Sequence, residues 1–402
     1  MTRLVIVGGG FAGFWSAMSA FRQARVLGKA DALNMTMISM DPYFSNRPRF
    51  YEDRFEEMRV PLEHYFLPLG IELVVGRVAH IDSDRGSLRI LDPKGREEAI
   101  PFDGLVLAAG SRLRRPSVPG FEYAFNVDTF DSAVALDRHL RDLSGAHFLS
   151  TASRTFVVLG GSFTGLEVVT GLAERLRSCS PPGTPFHLVL TDRSSLVAPE
   201  YSIESRNYIA EQLERSGIRF LGAEEPDLIA PDRIAFKSGR SLETRTVVWC
   251  GGLEASPLTA EFDGKRDGLG RLSVDRFLRV EGQETIFAAG DVARAAVDDR
   301  HSSVMSCQHA IPQGKFAGHN VVNALFGEEL APYSQPRYGT CLDLGSRQAL
   351  LTSGWERMLR LTGQTAKTQK TEILTRWIMP SPEVEEVLKA SEPVILTDNE
   401  VF

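Results

Sequence analysis

Two copies of one short pattern restrict this chain more than any other feature: an apolar strand, a glycine turn, then a helix of small residues. Residues 3–7 are an apolar run rich in β-branched side chains, Gly8, Gly9 and Gly10 follow, and a helical pattern runs from Ala12 to about Val26. Residues 155–176 repeat the pattern as TFVVL, GGSFTG and LEVVTGLAERL. In the first copy Gly8, Gly10 and Gly13 complete the GxGxxG spacing at the junction of strand and helix that the motif requires. Gly8 permits the turn, Gly10 lets a pyrophosphate approach the backbone, and Gly13 allows close helix packing. The free amides at the helix start, around Phe11 and Ala12, then face the anion. In the second copy Gly160 and Gly165 are present, and Ser162 occupies the middle glycine position with its amide still available to a phosphate.

Three further segments read as buried strands that stop at a turn. FDGLVLAAGS at residues 102–111 ends at Ala109, Gly110 and Ser111, TVVWCGG at 246–252 ends at Gly251, and TIFAAGDVA ends at Gly290 and Asp291. A helical pattern follows from about Ser306 to Leu325. The expected architecture is α/β: two Rossmann-type dinucleotide-binding domains, the second inserted in the first, plus a small C-terminal α+β cap domain. The boundaries are 1–118 and 276–330 for the first domain, 119–275 for the second, and 331–402 for the cap, where Pro332, Pro336, Pro380, Pro382 and Pro393 punctuate the chain.

The acid that ends the second strand of such a unit binds the adenosine ribose. A count of 26 from Gly13 reaches Ser39, with Asp41 two positions later, and the residues do not choose between them. A count of 27 from Gly165 reaches Asp192, whose carboxylate suits ribose hydroxyls and repels a ribose phosphate. That favours NADH, with NADPH as the alternative because Arg193 stands next door.

Composition excludes other classes. A net charge of −7 offers no basic face for nucleic acid. The four cysteines, Cys179, Cys250, Cys307 and Cys341, form neither a CxxC pair nor a metal-ligand cluster, so no metal is expected and a reducing cytoplasm suits them. The apolar start is broken by three glycines, which argues against a signal peptide, and no uncharged run is long enough to span a bilayer.

Taken in order, VIVGGGFAG, LVLAAGS, VVLGGSFTGLE, TVVWCGG and TIFAAGDVA resemble the pyridine nucleotide-dependent flavoprotein superfamily over about residues 1–330. The resemblance implies FAD on the first unit, NADH on the second, and Asp291 at the ribityl chain. Within the superfamily, SCQHAIPQGKFAGHNVVNAL resembles the helix of type II NADH dehydrogenases, whose AQxAxQ pattern lies at flavin and quinone. Here Gln308 matches and Pro312 replaces the second glutamine. Pro312 offers no amide to the carbonyl of Gln308, so the helix is expected to bend and leave that carbonyl free. His309 reads as a packed or surface histidine.

By the same resemblance Glu167 lies near the nicotinamide, its alternative being an ordinary first-turn helix acid. Arg47, Pro48 and Arg49 lie where relatives place residues beside the isoalloxazine, unless the arginines are simple surface charges. No cysteine precedes Cys179, which removes the disulfide-reductase branch, and Cys307 stands alone near the flavin, which disfavours sulfur chemistry.

The implied activity is an FAD-dependent ping-pong dehydrogenase: NADH passes hydride to the flavin, and an acceptor, first a quinone, then dioxygen or a small carrier, takes the electrons. Gln308, Glu167 and Pro48 are the catalytic candidates. A rival reading is a flavoprotein of the apoptosis-inducing-factor kind, with slow turnover and a nucleotide-switched binding role. Between residues 351 and 380 the bases Arg357, Arg360, Lys367, Lys370 and Arg376 are interleaved with Trp355, Met358, Leu359, Trp377 and Ile378. That mixture suits peripheral contact with the inner face of the cell membrane, a homodimer interface, or a cap over the flavin.

Overall fold

The computed structural model describes residues 1–143, 150–179 and 185–395. The remaining residues of the expected second domain and of the expected cap lie outside the described residues, as does the side chain of Cys179.

Both glycine patterns fold as anticipated. Strand β1 (Thr2–Val7) leads through the glycines into helix α1 (Phe11–Val26). Around it lie β2 (Leu33–Ser39), β3 (Glu72–Val75) and β4 (Gly104–Leu107). In the second copy β5 (Thr155–Leu159) leads into α2 (Phe163–Cys179), with β6 (His187–Thr191), β7 (Ile218–Leu221) and β8 (Thr246–Trp249) beside it. Strand β9 (Ile286–Ala288) comes far later in sequence but pairs with β4. The first sheet has the order β9-β4-β1-β2-β3 and the second the order β7-β6-β5-β8, and every pairing in both is parallel. Strands buried on both faces need continuous apolar runs, and Leu4–Val7, Leu105–Leu107 and Phe156–Leu159 supply them. In each sheet the strand order reverses at the first strand, so a crevice opens at its carboxyl end, where the glycine turn lies.

Helix α3 (Cys307–Phe326) crosses α1 nearly backbone to backbone. A Cβ on Gly314 would stand 2.3 Å from the Ala12 carbonyl oxygen, and one on Gly318 would stand 2.1 Å from that of Ser16. This crossing sets the start of α3, with Gln308, beside the first glycine turn.

The C-terminal segment is α+β, but it is not a separate cap. Strands β10 (Gly339–Asp343), β11 (Ala349–Ser353) and β12 (Met358–Thr362) form an antiparallel sheet, followed by α4 (Gly363–Glu372) and α5 (Val384–Ala390). Leu342 and Leu350 join the core beneath β5 and α2, whereas Val387 and Leu388 join the core around α1. Its buried apolar side chains thus belong to the cores of both neighbouring units.

The basic and aromatic side chains expected on its surface mostly turn inward. Lys367 pairs with Asp343, Lys370 with Glu167 and Arg357 with Glu200. Trp355 is stacked between His301 and Tyr338, with ring centroids 4.4 and 4.3 Å away. Met358, Leu361 and Trp377 remain exposed. No helix among the described residues is long and apolar enough to cross a membrane.

Candidate functional site

The two glycine turns are near-duplicates. Gly8 and Gly160 have φ of +111° and +114°, which side chains rarely tolerate. A Cβ on Gly13 would lie 1.7 Å from the Gly8 carbonyl oxygen, and one on Gly165 would lie 1.7 Å from that of Gly160. Each turn is thus held against its own helix. Gly10 caps α1 with no side-chain hydrogen bond, leaving the first amides of the helix open.

One cleft of about 1830 Å³ joins both turns. Gly10, Phe11, Ala12 and Asp41 line it from the first unit, and Gly160, Ser162, Glu167 and Asp192 from the second. Arg47, Pro48, Gly110, Gly251, Gly290, Asp291 and Gln308 lie between them. Gly8, Gly13, Ala109 and Gly165 shape the turns from behind and do not line the cleft. Ser39 is buried beneath Gly9, so of the two ribose candidates only Asp41 reaches the cleft, where Arg59 pairs with it at 2.8 Å. Asp192 takes the place that Ser39 takes in the first unit. Its carboxylate accepts the Gly161 and Ser194 amides, each at 2.7 Å. The Ser162 hydroxyl points away from the turn and donates to Glu200 at 2.8 Å.

Asp291 is held in place without becoming free. It accepts the Ser111 hydroxyl at 2.6 Å, and Arg47 stands 4.0 Å away while bonding Asp128. Burial pushes the Asp291 carboxyl up, and Ser111 and Arg47 pull against that. The arginines are therefore not surface charges: Arg47 orders this corner, and Arg49 is buried on Glu52 and Glu57.

A family model described as pyridine nucleotide-disulphide oxidoreductase matches residues 2–314. The chain belongs to that family. This oxidoreductase is 41% identical to the NADH dehydrogenase-like protein Rv1812c of Mycobacterium tuberculosis, over 94% of this chain and 95% of the relative. It is 24% identical to a type II NADH:quinone oxidoreductase of Staphylococcus haemolyticus, over 93% and 94% of the two chains. Its fold is similar to that of NDH2 from Plasmodium falciparum solved with NADH, with a TM-score of 0.79, 13% identity and coverage of 97% of each chain.

In this oxidoreductase Glu167 is neither an ordinary helix acid nor exposed. It is buried, pairs with Lys370 at 2.7 Å and accepts the Asp343 amide at 3.0 Å. Burial pushes its carboxyl up to about 7 against the pull of Lys370. Burial pulls the Lys370 ammonium down, but Glu167, with Cys341 and Asp343, more than offsets this and leaves it raised. Lys370 thus keeps its proton, whereas Glu167 lies close to neutrality and can exchange its own. His309 is packed: it is 1% exposed, burial lowers it to about 4, and its ring stacks on Tyr338 at 5.8 Å.

Two expectations fail at α3 and near it. The carbonyl of Gln308 is not free, because the Gln335 side-chain amide donates to it at 3.1 Å in place of the missing Pro312 amide. Cys307 is not alone, since Cys341 lines the same cleft. Burial raises these thiols to about 11 and about 12, so neither is a thiolate at neutral pH. Asp343 and Tyr51 were missed by sequence reasoning, and Lys370 and Arg357 were named only as members of the basic C-terminal stretch, not as partners in the cleft wall. The one hint was Lys367 and Lys370, three apart on a helix without acids between them.

Proposed function

We propose that this oxidoreductase holds FAD on the first glycine turn and NADH on the second, and passes electrons from NADH to a quinone. The observation that carries the reading is the single cleft joining two glycine-lined helix starts, the first of them without a side-chain cap. Its volume exceeds the roughly 300–1,000 Å³ of a pocket for one small ligand, as two dinucleotides require. The glycine cradles, the open α1 amides and the half-buried Asp291 fit the flavin nucleotide. The two parallel sheets support a division of 1–118 with 276–330 from 119–275, except that Phe262 and Leu272 pack into the core of the first unit.

In this reading the amides around Gly10, Phe11 and Ala12 bind the FAD pyrophosphate, Asp41 takes its ribose, and Asp291 binds the ribityl chain. Bound flavin supplies the two-electron chemistry that no side chain can. Arg47 and Pro48 pack beside the ring, Gln308 orients the acceptor, and Glu167 with Lys370 holds a proton at the edge of the cleft. A group poised near 7 can both give and take a proton at neutral pH. The relatives named for NADH:quinone chemistry support the choice of acceptor.

Two outcomes test the assignments. Asp192→Asn keeps one of the two amide hydrogen bonds that the carboxylate accepts and removes the charge that repels a ribose phosphate. The ratio of flavin reduction rates with NADH and NADPH should therefore fall by about tenfold or more. An unchanged ratio would remove Asp192 from nucleotide selection. Gln308→Ala should slow flavin reoxidation by quinone while flavin reduction by NADH persists. If only the NADH half slows, or neither does, Gln308 is not at the acceptor. The function itself is tested by anaerobic mixing with NADH followed by a panel of acceptors. Rapid multiple turnover with quinone is expected, whereas slow reduction with a persistent charge-transfer complex would point to a nucleotide-switched binding role.

A further inference from the structure

Arg357 lines the main cleft from the turn between β11 and β12, with a φ of +48° that residues other than glycine adopt only at a cost in strain. That turn is clamped in place. The Ser205 hydroxyl donates to the Arg357 carbonyl at 2.9 Å, and the Arg357 amide donates to the Gly354 carbonyl at 3.0 Å. One side of the guanidinium is equally fixed, 4.7 Å over the Tyr201 ring and donating through Nη2 to the Tyr338 hydroxyl at 3.3 Å. Nη1 differs: it is buried and stands 3.2 Å from Glu200 Oε1, yet it forms no hydrogen bond among the described residues. A buried donor left unbonded is costly, so a strained turn that presents one to a cleft points to an acceptor that enters there.

Glu200 connects this donor to the second glycine turn. The oxygen that faces Nη1 is the one that accepts the Ser162 hydroxyl at 2.8 Å, and Ser162 and Glu200 both line the cleft. A single carboxylate oxygen thus stands between the unbonded guanidinium nitrogen and the residue at the middle glycine position. An anion on that turn would be repelled by Glu200 and attracted by Arg357. The Glu200 side chain is 29% exposed and can turn toward water, whereas that of Arg357 is 17% exposed and held by its two tyrosines. We infer that Arg357 is a binding residue for the pyrophosphate of the nicotinamide nucleotide, brought to the second glycine turn by the C-terminal hairpin, with Glu200 as the anion exchanged for phosphate. The inference rests on the proposed NADH site at that turn. In the exchange Glu200 swings outward and Nη1 donates to a phosphate oxygen, a partner that the planar guanidinium fork matches. Only hydrogen bonds and ion pairs change. The C-terminal segment then helps to build the nucleotide site, and Glu200 limits how tightly the nucleotide is held.

Calorimetric titration of the FAD-loaded protein with ADP-ribose tests the contact without turnover, because ADP-ribose carries the pyrophosphate but no reacting ring. Adenosine, which has no phosphate, is the control. Arg357→Met should weaken ADP-ribose binding by about tenfold or more and change adenosine binding by less than about twofold. Glu200→Gln can still accept the Ser162 hydroxyl but removes the competing charge, so ADP-ribose should bind about threefold or more tightly. In the doubly altered protein the loss caused by Arg357→Met should persist. If it vanishes there, Arg357 only neutralises Glu200 and the direct contact is overturned. Equal losses for ADP-ribose and adenosine, or no tightening by Glu200→Gln, would overturn it as well. Glu200→Gln leaves the arginine and its turn in place, so its result decides even if Arg357→Met fails to fold. Failure of the unaltered protein to bind ADP-ribose would instead remove the nucleotide reading of the second turn.

Discussion

Gly13→Ala protein should purify without flavin, whereas Gly165→Ala protein should stay yellow but resist reduction by NADH. The physical cause is identical at the two sites. Each new Cβ would lie 1.7 Å from a backbone carbonyl oxygen, that of Gly8 or Gly160. A flexible side chain could move aside, but these oxygens belong to the backbone of the turns proposed to hold the pyrophosphates. Overpacking of this kind costs about 1–3 kcal/mol in stability, and the displaced amides cost binding as well. A displacement of about 1 Å in a reacting pair can cost on the order of a hundredfold in rate, so NADH reduction in Gly165→Ala should fall by at least that much. The ratio of flavin to protein absorbance and a stopped-flow reduction rate check the two halves. The opposite pattern, with flavin lost from Gly165→Ala and kept by Gly13→Ala, would reverse the assignment of the two units.

Lys370→Met should be the most destabilising change in the wall of the cleft, and its cost should grow with pH. It removes the partner of the buried Glu167 and the donor to the Cys341 carbonyl at 2.9 Å. Breaking a buried pair costs about 3–5 kcal/mol when the remaining charge stays ionised. Glu167 escapes part of that cost by taking up a proton. Its carboxyl, raised from 4.5 to about 7 in the folded protein, contributes stability that is complete below 4.5 and is lost as pH rises through about 7. Without Lys370 the folded value moves higher still, so the loss continues into alkaline solution. Melting temperatures of the two proteins should therefore differ least near about pH 5 and most near about pH 8. Glu167→Gln, which cannot ionise, should flatten the dependence. A difference between Lys370→Met and the unaltered chain that does not vary with pH would mean that Glu167 is not the group left unpaired.

Much of the fold was legible because its decisive constraints are local. Each glycine turn, the strand before it and the helix after it lie within about twenty-five residues, and the motif spacing carries its own geometric reason. Asp291 could be anticipated for a similar reason, since a strand-end acid after buried Ala288 and Ala289 must find a partner. The residues that were not legible depend on contacts between distant segments. Glu167 meets Lys370 across about two hundred residues, and nothing near either residue announces the other. The same holds for Gln335, which fills the Gln308 carbonyl that Pro312 leaves without an amide. Within the basic C-terminal stretch, periodicity did not say which charges are paired inside, such as Lys367 and Lys370, and which stay exposed, such as Arg360 and Arg376. Position alone could not choose between Ser39 and Asp41: Ser39 occupies the place of Asp192, but its side chain lies beneath Gly9, outside the cleft.

The central claim is that one cleft holds FAD and NADH so that hydride passes between them. Anaerobic titration of the purified yellow protein with NADH tests it most directly, together with identification of the flavin released on denaturation. FAD should be released, and one equivalent of NADH should bleach the visible flavin absorbance, which quinone then restores. Release of FMN, absence of flavin from the folded and reconstituted protein, or a flavin that NADH leaves oxidised would contradict it.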